Sequence, residues 1–433
     1  MNLLSIVSTI NSVLWGGPML FLLSGTHLYF TIHLKFIQRK AGLAIRLSLE
    51  ADSDHSGNAS VFSTLATTLA ATLGTGNIVG VSTAIALGGP GALFWCWITG
   101  IFGMATTYAE CYLGIKYRRK LADGSYCGGP MYALEDGLGF RKTARFFAFC
   151  AVLTAFFMGC QTQSHSVADA AAHFGVPNWL TGILLSTLVG LAIIGGACSI
   201  QKICTYIVPG IAAFYLFGCL ILFILNIHFL PAALELIITS AFCPKAAISG
   251  FTGMTVQKAL RYGISRGLFT NEAGLGSAAI AAAASSSTDF KKQALVSMSA
   301  TFWDTVVMCA VTGIVIVCTV IKDPLTVTDL SYSEWTNAAF SQIPYIGSPM
   351  LQLSLIAFGA ATLIGWSFFG EKAAEYLWGN SRQNLYRFFY LLMIFFGTVA
   401  SLDTVWECAD FINLCMTLPN LIALFLLRKE IKA

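Results

Sequence analysis

The chain has 433 residues, 56% of them apolar and only 11% charged, where soluble domains usually carry ~25% charged residues. With a mean hydropathy of +0.73, this excludes a water-soluble enzyme, and long unbroken apolar runs exclude the polar/apolar alternation of a membrane β-barrel. The net charge of +4 is scattered over short loops, so it gives no nucleic-acid footprint. The expected class is an all-α polytopic membrane protein. Most of the 13 cysteines lie inside apolar runs without zinc-type spacing, and they read as small packing residues.

A membrane span needs ~20 apolar residues. The first 34 residues carry no Lys, Arg, Asp or Glu, whereas a cleavable signal peptide needs a basic start. Val13 to Phe36 therefore reads as a retained first helix. The uncharged run from Ser56 to Ala109 holds two spans, with Gly88-Gly89-Pro90-Gly91 as the turn between them. Further spans are expected over Phe146 to Val167, Trp179 to Cys198, Ile203 to Leu225 and Leu268 to Ala284. Leu295 to Ile321, Leu351 to Phe369, Leu385 to Leu402 and Val405 to Leu427 complete a set of about 11 transmembrane helices. The polar stretches Asp52 to Ser60 and Thr328 to Ser341 read as loops.

Lys and Arg set the orientation. If the loop holding Lys35, Arg39, Lys40 and Arg46 is cytoplasmic, alternation puts every basic residue on that side except Lys245, Lys258, Arg261, Arg266 and Lys322. The expected placement is a multi-pass plasma (inner) membrane protein with its N-terminus outside and its C-terminus cytoplasmic. Glu110, with Lys116, Arg118 and Arg119, reads as an interfacial anchor where a helix leaves the membrane.

Two spans are poor helices. The second contains Gly74-Thr75-Gly76-Asn77, where each glycine costs ~1 kcal/mol and Asn competes for backbone hydrogen bonds. The seventh contains Thr270-Asn271-Glu272-Ala273-Gly274. Each opens a block of five spans, and because five is odd the blocks run in opposite senses. The expected organisation is one domain, 1–433: an extra N-terminal helix (13–37), a first repeat (60–226) and an inverted second repeat (248–428). Paired interrupted helices in inverted repeats point to a transporter site at the midplane. A half-helix beginning near Asn77 offers amides and a positive dipole end to a carboxylate. Half-helices ending near Gly74 and Thr270 offer carbonyl oxygens to sodium or an ammonium group. Glycines that mark only close helix packing are the simpler alternative.

At these residues the chain resembles the alanine or glycine:cation symporter family (the sodium:alanine symporters). The resemblance runs through ATLGTGNIVGV, GGPGALFWCWITGIFGM, YAECYLGIKYR, GGPMY, SRGLFTNEAGLGSA and LIGWSFFGE. It implies a fold similar to the leucine-transporter group, with two inverted five-helix repeats preceded here by one extra helix. It also implies that Thr75, Gly76 and Asn77 form the carboxylate end of a substrate site. Phe269, Asn271 and Ala273 would form the amine and side-chain end, Gln163 would face the substrate, and Thr362 and Trp366 would close the pocket. Cys96, His165 and Ala279 depart from the pattern, standing where Met, Asn and Pro are expected.

The implied activity is import of a small neutral amino acid, alanine or glycine with serine as a further fit, together with sodium by alternating access. A proton-coupled or exchange-type carrier on the same fold is the alternative. No cofactor is implied beyond the co-transported sodium ion, and the expected partners are that ion, the amino acid and the bilayer. Thr72, Asn77, Thr270 and Thr362 are the candidate sodium ligands. A Thr362 hydroxyl near the carbonyl of Thr72 or Thr75 would complete a five-oxygen site; a hydroxyl bonded back to its own helix is the alternative. Glu272, a carboxylate at membrane depth, is the coupling candidate. It could carry a proton, ligate a cation, or pin the broken helix through backbone amides. Asp304 reads as a buried hydrogen-bond or ion partner rather than a sodium ligand, and Glu407 and Asp410 as a polar helix start, with a gate lining as the alternative. No HExxH, GxSxG or Cys/His cluster supports an enzyme, and inverted repeats suit a carrier better than a channel.

Overall fold

Uncharged runs in lipid must satisfy their own backbone groups, and helices do so within one segment. The computed structural model describes residues 3–15, 17–49, 60–121, 124–243, 255–327, 330–400 and 402–433, and nearly all of them are helical. The chain opens with α1 (Leu3–Leu14), α2 (Pro18–His33) and a short α3 (Ala41–Leu49). The first broken span is α4 (Val61–Thr72) and α5 (Val79–Gly88), and Gly89-Pro90 then turns the chain into α6 (Gly91–Lys116). Gly89 has φ 79°, a left-handed conformation that glycine adopts without strain. Next come α7 (Arg141–Ala172), α8 (Asn178–Ile194), α9 (Gly196–Leu225) and α10 (Leu230–Phe242). The second broken span is α11 (Val256–Asn271) and α12 (Ser277–Ala283), followed by α13 (Phe290–Lys322) and α14 (Gly347–Trp378). Finally α15 (Gln383–Val399) and α16 (Leu402–Leu426) close the bundle.

Among the described residues, six helices are long and apolar enough to cross a membrane, and up to eight if each bent pair is one span. Several differ from their sequence-derived bounds. The α8–α9 junction falls at Gly195–Gly196, so Lys202 sits within a helix instead of a loop. The seventh expected span starts twelve residues earlier, at Val256, because Thr255 caps the helix by accepting from the Lys258 amide. Its basic residues Lys258, Arg261 and Arg266 had hidden that start. The α10 helix was not expected at all. It buries Ala233, Leu236, Ile237 and Ala241 at helical spacing, a one-sided pattern with no 20-residue apolar run to mark it. Within the loop expected over Thr328 to Ser341, a short helix forms at Trp335–Phe340. The loop expected at Asp52 to Ser60 lies outside the described residues except for Ser60, the cap of α4.

The core lies between α4, α7 and α14, where Trp366, Phe147, Phe368 and Ala71 are buried together. Glycine permits the closest approaches: a Cβ on Gly365 of α14 would stand 2.7 Å from the Ala71 backbone nitrogen of α4. Large apolar side chains such as Leu191, Ile194, Phe217 and Ile224 point outward from α8 and α9, as expected of a lipid-facing surface.

Basic residues gather at one end of the bundle. Lys116 and the Tyr117 hydroxyl both reach Glu430, at 2.6 and 2.5 Å, and the Lys116 contact leads in holding the Glu430 carboxyl below its ordinary value. Arg118 donates to the carbonyls of Ser285 and Ser287 at 2.6 and 2.9 Å, and Arg119 pairs with Asp136.

Candidate binding site at two helix breaks

The first break follows from its residues. After Thr72 the helix stops, Gly74 takes an extended conformation (φ −120°, ψ −161°), and Thr75–Asn77 form a single tight turn before α5. The two half-helices meet at 63°. Asn77 closes this turn: its Oδ1 accepts from the Gly74 amide at 3.1 Å. Its Nδ2 donates to Asp304 Oδ1 at 2.7 Å and to the Asp304 carbonyl at 3.1 Å. Asp304 takes a second bond at Oδ2, from the Thr305 hydroxyl at 2.7 Å. Asp304 is thus a buried hydrogen-bond partner, as its position in FWDT suggested.

In the second break, α11 ends with Glu272 in the left-handed region (φ 53°), and Gly274 and Gly276 also have positive φ, 102° and 81°. A left-handed glutamate is strained, and such strain persists only where surrounding contacts over-determine it. Here the contacts are explicit. Glu272 Oε2 accepts from the Ser277 hydroxyl at 2.6 Å, and Oε1 from the Trp366 indole nitrogen at 3.2 Å. Another carboxylate holds the middle of the break: Glu110 Oε1 accepts from the Gly274 amide at 2.8 Å and from Asn420 Nδ2 at 2.6 Å. Asn420 Nδ2 also reaches the Gly274 carbonyl at 2.8 Å.

Glu110 is therefore not an interfacial anchor. It lies six residues before Lys116, ~9 Å inside the helix end at 1.5 Å per residue, and is buried. That offset was the available signal.

Wider helical turns bring side chains to the breaks. Phe157–Gln161 of α7 and Phe302–Cys309 of α13 are π-helical, a form often found at functional sites. One turn carries Asp304, and the other ends two residues before Gln163. Gln163 Oε1 accepts from the Thr75 hydroxyl at 3.1 Å and from the Thr75 amide at 3.4 Å. On α14 the Thr362 hydroxyl lies 2.9 Å from the Phe358 carbonyl one turn back and 3.4 Å from the Leu73 carbonyl. The nearest carbonyl across the helices thus belongs to Leu73, between the two expected partners.

A cavity of about 580 Å³ descends to these breaks from the end opposite the basic one. It enters past His173 and Glu334 and reaches Thr75, Gly76 and Phe269. The breaks touch there: a Cβ on Gly76 would stand 3.2 Å from Thr270 Cγ2 and 3.8 Å from the Phe269 ring. Asn77, Gln163 and Thr362 lie one layer behind this floor. Thr270 sits beside them, its hydroxyl 3.4 Å from that of Thr305, while the Thr72 hydroxyl bonds back to the Thr68 carbonyl at 3.2 Å. Asn271 and Ala273 pack instead toward Gly103 of α6, where Asn271 Oδ1 accepts from the Ala273 amide at 3.0 Å. Trp366 packs on Gly159 and Phe369 and reaches the second break through Glu272. Arg266 was not expected at the site. Its guanidinium lies 5.9 Å from the Phe269 ring on the cavity wall, within electrostatic reach of Asp410 on α16.

Comparisons with known proteins agree with this architecture. A family model described as the sodium:alanine symporter family matches residues 1–433. The sodium/alanine symporter AgcS of Methanococcus maripaludis is 44% identical over 435 residues, covering 99% of this chain and 95% of the relative. An uncharacterized transporter of Haemophilus influenzae is also 44% identical, over 437 residues, 100% of this chain and 95% of its own. Among solved structures, the manganese transporter of Eremococcus coleocola superposes with a TM-score of 0.52 at 16% identity, covering 85% of this chain and 78% of its own. At that identity the likeness speaks for the fold alone.

Proposed function

Since the chain belongs to the sodium:alanine symporter family, it is a cation-coupled amino-acid transporter and not an enzyme, and we propose that it imports alanine or glycine with sodium by alternating access. The observation that carries this reading is the cavity ending on both helix breaks at Thr75, Gly76 and Phe269. Unwound backbone at such a floor supplies free amides and carbonyls where a small zwitterion would need them. Thr75 presents two donors, its amide and hydroxyl, both now bonded to Gln163 Oε1. A substrate carboxylate arriving from the cavity exchanges these neutral bonds for stronger charge-assisted ones. Gln163 must then re-pair, with the substrate ammonium as its natural partner. Phe269 narrows the floor, which favours methyl or hydrogen over a long side chain. Asn271 and Ala273, packed toward Gly103, and Trp366, bonded to Glu272, shape the second break behind the floor and act on the substrate through it.

The basic end of the bundle is the cytoplasmic one in this reading, so the cavity faces outward and both termini take the sides expected above. The repeats are α4–α9 with α10 appended, and α11–α16, each opening on its broken span. Sodium is the cargo that couples to the amino acid, with Thr362, the Leu73 carbonyl, Thr72, Asn77 and Thr270 as the oxygen-bearing neighbours of the breaks. Thr362→Ala should raise the sodium concentration for half-maximal uptake by about tenfold, equivalent to ~1.4 kcal/mol, and weaken alanine binding much less. Uptake titrated with sodium at fixed alanine reads this directly, and an unchanged sodium dependence argues against a ligand role.

Three buried carboxylates around the breaks, Glu110, Glu272 and Asp304, favour proton coupling as the second reading. Alanine uptake into proteoliposomes separates the two. Accumulation under an inward sodium gradient with a potassium control supports sodium symport, whereas accumulation that follows an imposed pH gradient supports proton coupling. Glu272→Gln should remain folded and lower coupled uptake several-fold, because the amide cannot accept from both Ser277 and Trp366. Wild-type uptake with an unchanged pH profile in that variant would remove any ionic role for Glu272.

A further inference from the structure

The α2 helix carries an outward apolar stripe at helical spacing: Phe21, Leu28, Ile32 and then Phe36, 80%, 49%, 61% and 47% exposed. The stripe ends at a sharp turn in which two consecutive non-glycine residues, Lys35 (φ 53°) and Phe36 (φ 60°), are left-handed. Strain of this kind is commonly found at ligand clamps. The turn forms one wall of a cleft of about 580 Å³, with Lys35, Arg39 and Lys40 on this side and Lys429 on the other.

The opposite wall is fixed in place by the C-terminal residues. His33 Nε2 lies 3.0 Å from the Arg428 carbonyl, the Tyr108 hydroxyl donates to the Lys432 carbonyl at 2.7 Å, and Lys291 Nζ donates to the Ala433 carbonyl at 2.9 Å. Ile431 is buried beneath. Lys429 is thereby held across the cleft from the α2 turn.

Three other basic groups at this end are paired with carboxylates: Arg119 with Glu135 and Asp136, Arg141 with Glu135, and Lys116 with Glu430. By contrast, among the described residues Lys35, Arg39, Lys40 and Lys429 pair with no carboxylate. Arg39 stacks its guanidinium 5.3 Å from the Phe36 ring, which bridges the charged cleft to the apolar stripe.

We propose that this cleft binds the phosphodiester headgroup of an anionic phospholipid whose acyl chain lies along the α2 stripe. Basic clefts at the ends of transmembrane helices attract such headgroups. A free phosphate could satisfy the four cations, but it would make no use of the stripe that leads into the cleft. The proposal concerns the lipid boundary and does not depend on which amino acid is carried.

The test is native mass spectrometry of the full chain released from bilayers of equal phosphatidylglycerol and phosphatidylcholine. The expected result is preferential retention of phosphatidylglycerol, reduced at least tenfold in a Lys35→Gln/Arg39→Gln/Lys429→Gln variant and unchanged in an Arg141→Gln/Arg145→Gln control. Equal retention in the triple variant, or an equal drop in the control, overturns the proposal. Displacement of the lipid from wild type by millimolar inorganic phosphate, as completely as by excess phosphatidylglycerol, would assign the cleft to a soluble anion and overturn it as well. Should the triple variant not fold, Lys429→Gln alone is expected to show a several-fold loss, and wild-type retention there is equally decisive.

Discussion

Asn77→Asp is expected to abolish uptake near neutral pH and to lower stability by about 3 kcal/mol or more, the range for breaking a buried polar pair. Asn77 works in two directions: it accepts from the Gly74 amide and donates to Asp304 at 2.7 Å, with both residues buried. Aspartate keeps the acceptor but replaces the donor with a second oxygen facing the Asp304 carboxylate. Two carboxylates that close do not both carry charge in a dry site, so one proton must be taken up to restore the contact. The sign follows: the variant regains function as pH falls, because a shared proton again donates across the gap, and it loses function as pH rises. Uptake measured across a pH series, alongside thermal unfolding in detergent, checks both halves. Wild-type uptake across the series would mean that the Asn77–Asp304 contact does not hold the break during transport.

Both breaks were legible because their residues are poor helix formers in apolar surroundings: Gly74, Gly76 and Asn77 in one, Asn271, Glu272 and Gly274 in the other. The nearly all-helical, membrane-spanning character was legible for the same reason that hydropathy works in lipid. The π-helical turns were not. No residue type marks a wider turn, so nothing in FMGCQ or FWDTVVMC announces that Asp304 and Gln163 are brought to the first break. Partners far apart in sequence were equally hidden. Thr362 and Trp366 share a helix face at i and i+4, yet one hydroxyl lies by the Leu73 carbonyl while the indole turns to Glu272. The α10 helix escaped because half-buried helices need only a narrow apolar stripe. Arg266 escaped because it lies just before the expected start of the seventh span at Leu268, whereas the helix begins at Val256 and carries it to the cavity wall.

Glu110 carries the other large effect, and it separates structure from charge. Its Oε1 alone accepts from the Gly274 amide and from Asn420. Glu110→Ala leaves the buried Gly274 amide without its acceptor, at about 1–3 kcal/mol, while Asn420 keeps only its bond to the Gly274 carbonyl, so a loss of about 1–3 kcal/mol or more is expected, seen as a lower melting temperature in detergent. Uptake should fall with it, because the second break loses the group that fixes Gly274. Glu110→Gln is the informative companion. Its amide oxygen can occupy the Oε1 position and keep both bonds, so stability should stay within about 1 kcal/mol of wild type. If uptake in Glu110→Gln also stays near wild type, the carboxylate serves as an acceptor that shapes the break. A stable Glu110→Gln protein that no longer accumulates alanine would instead give its charge a place in coupling. A Glu110→Ala protein as stable as wild type would show that Asn420 and the neighbouring helices hold the break without it.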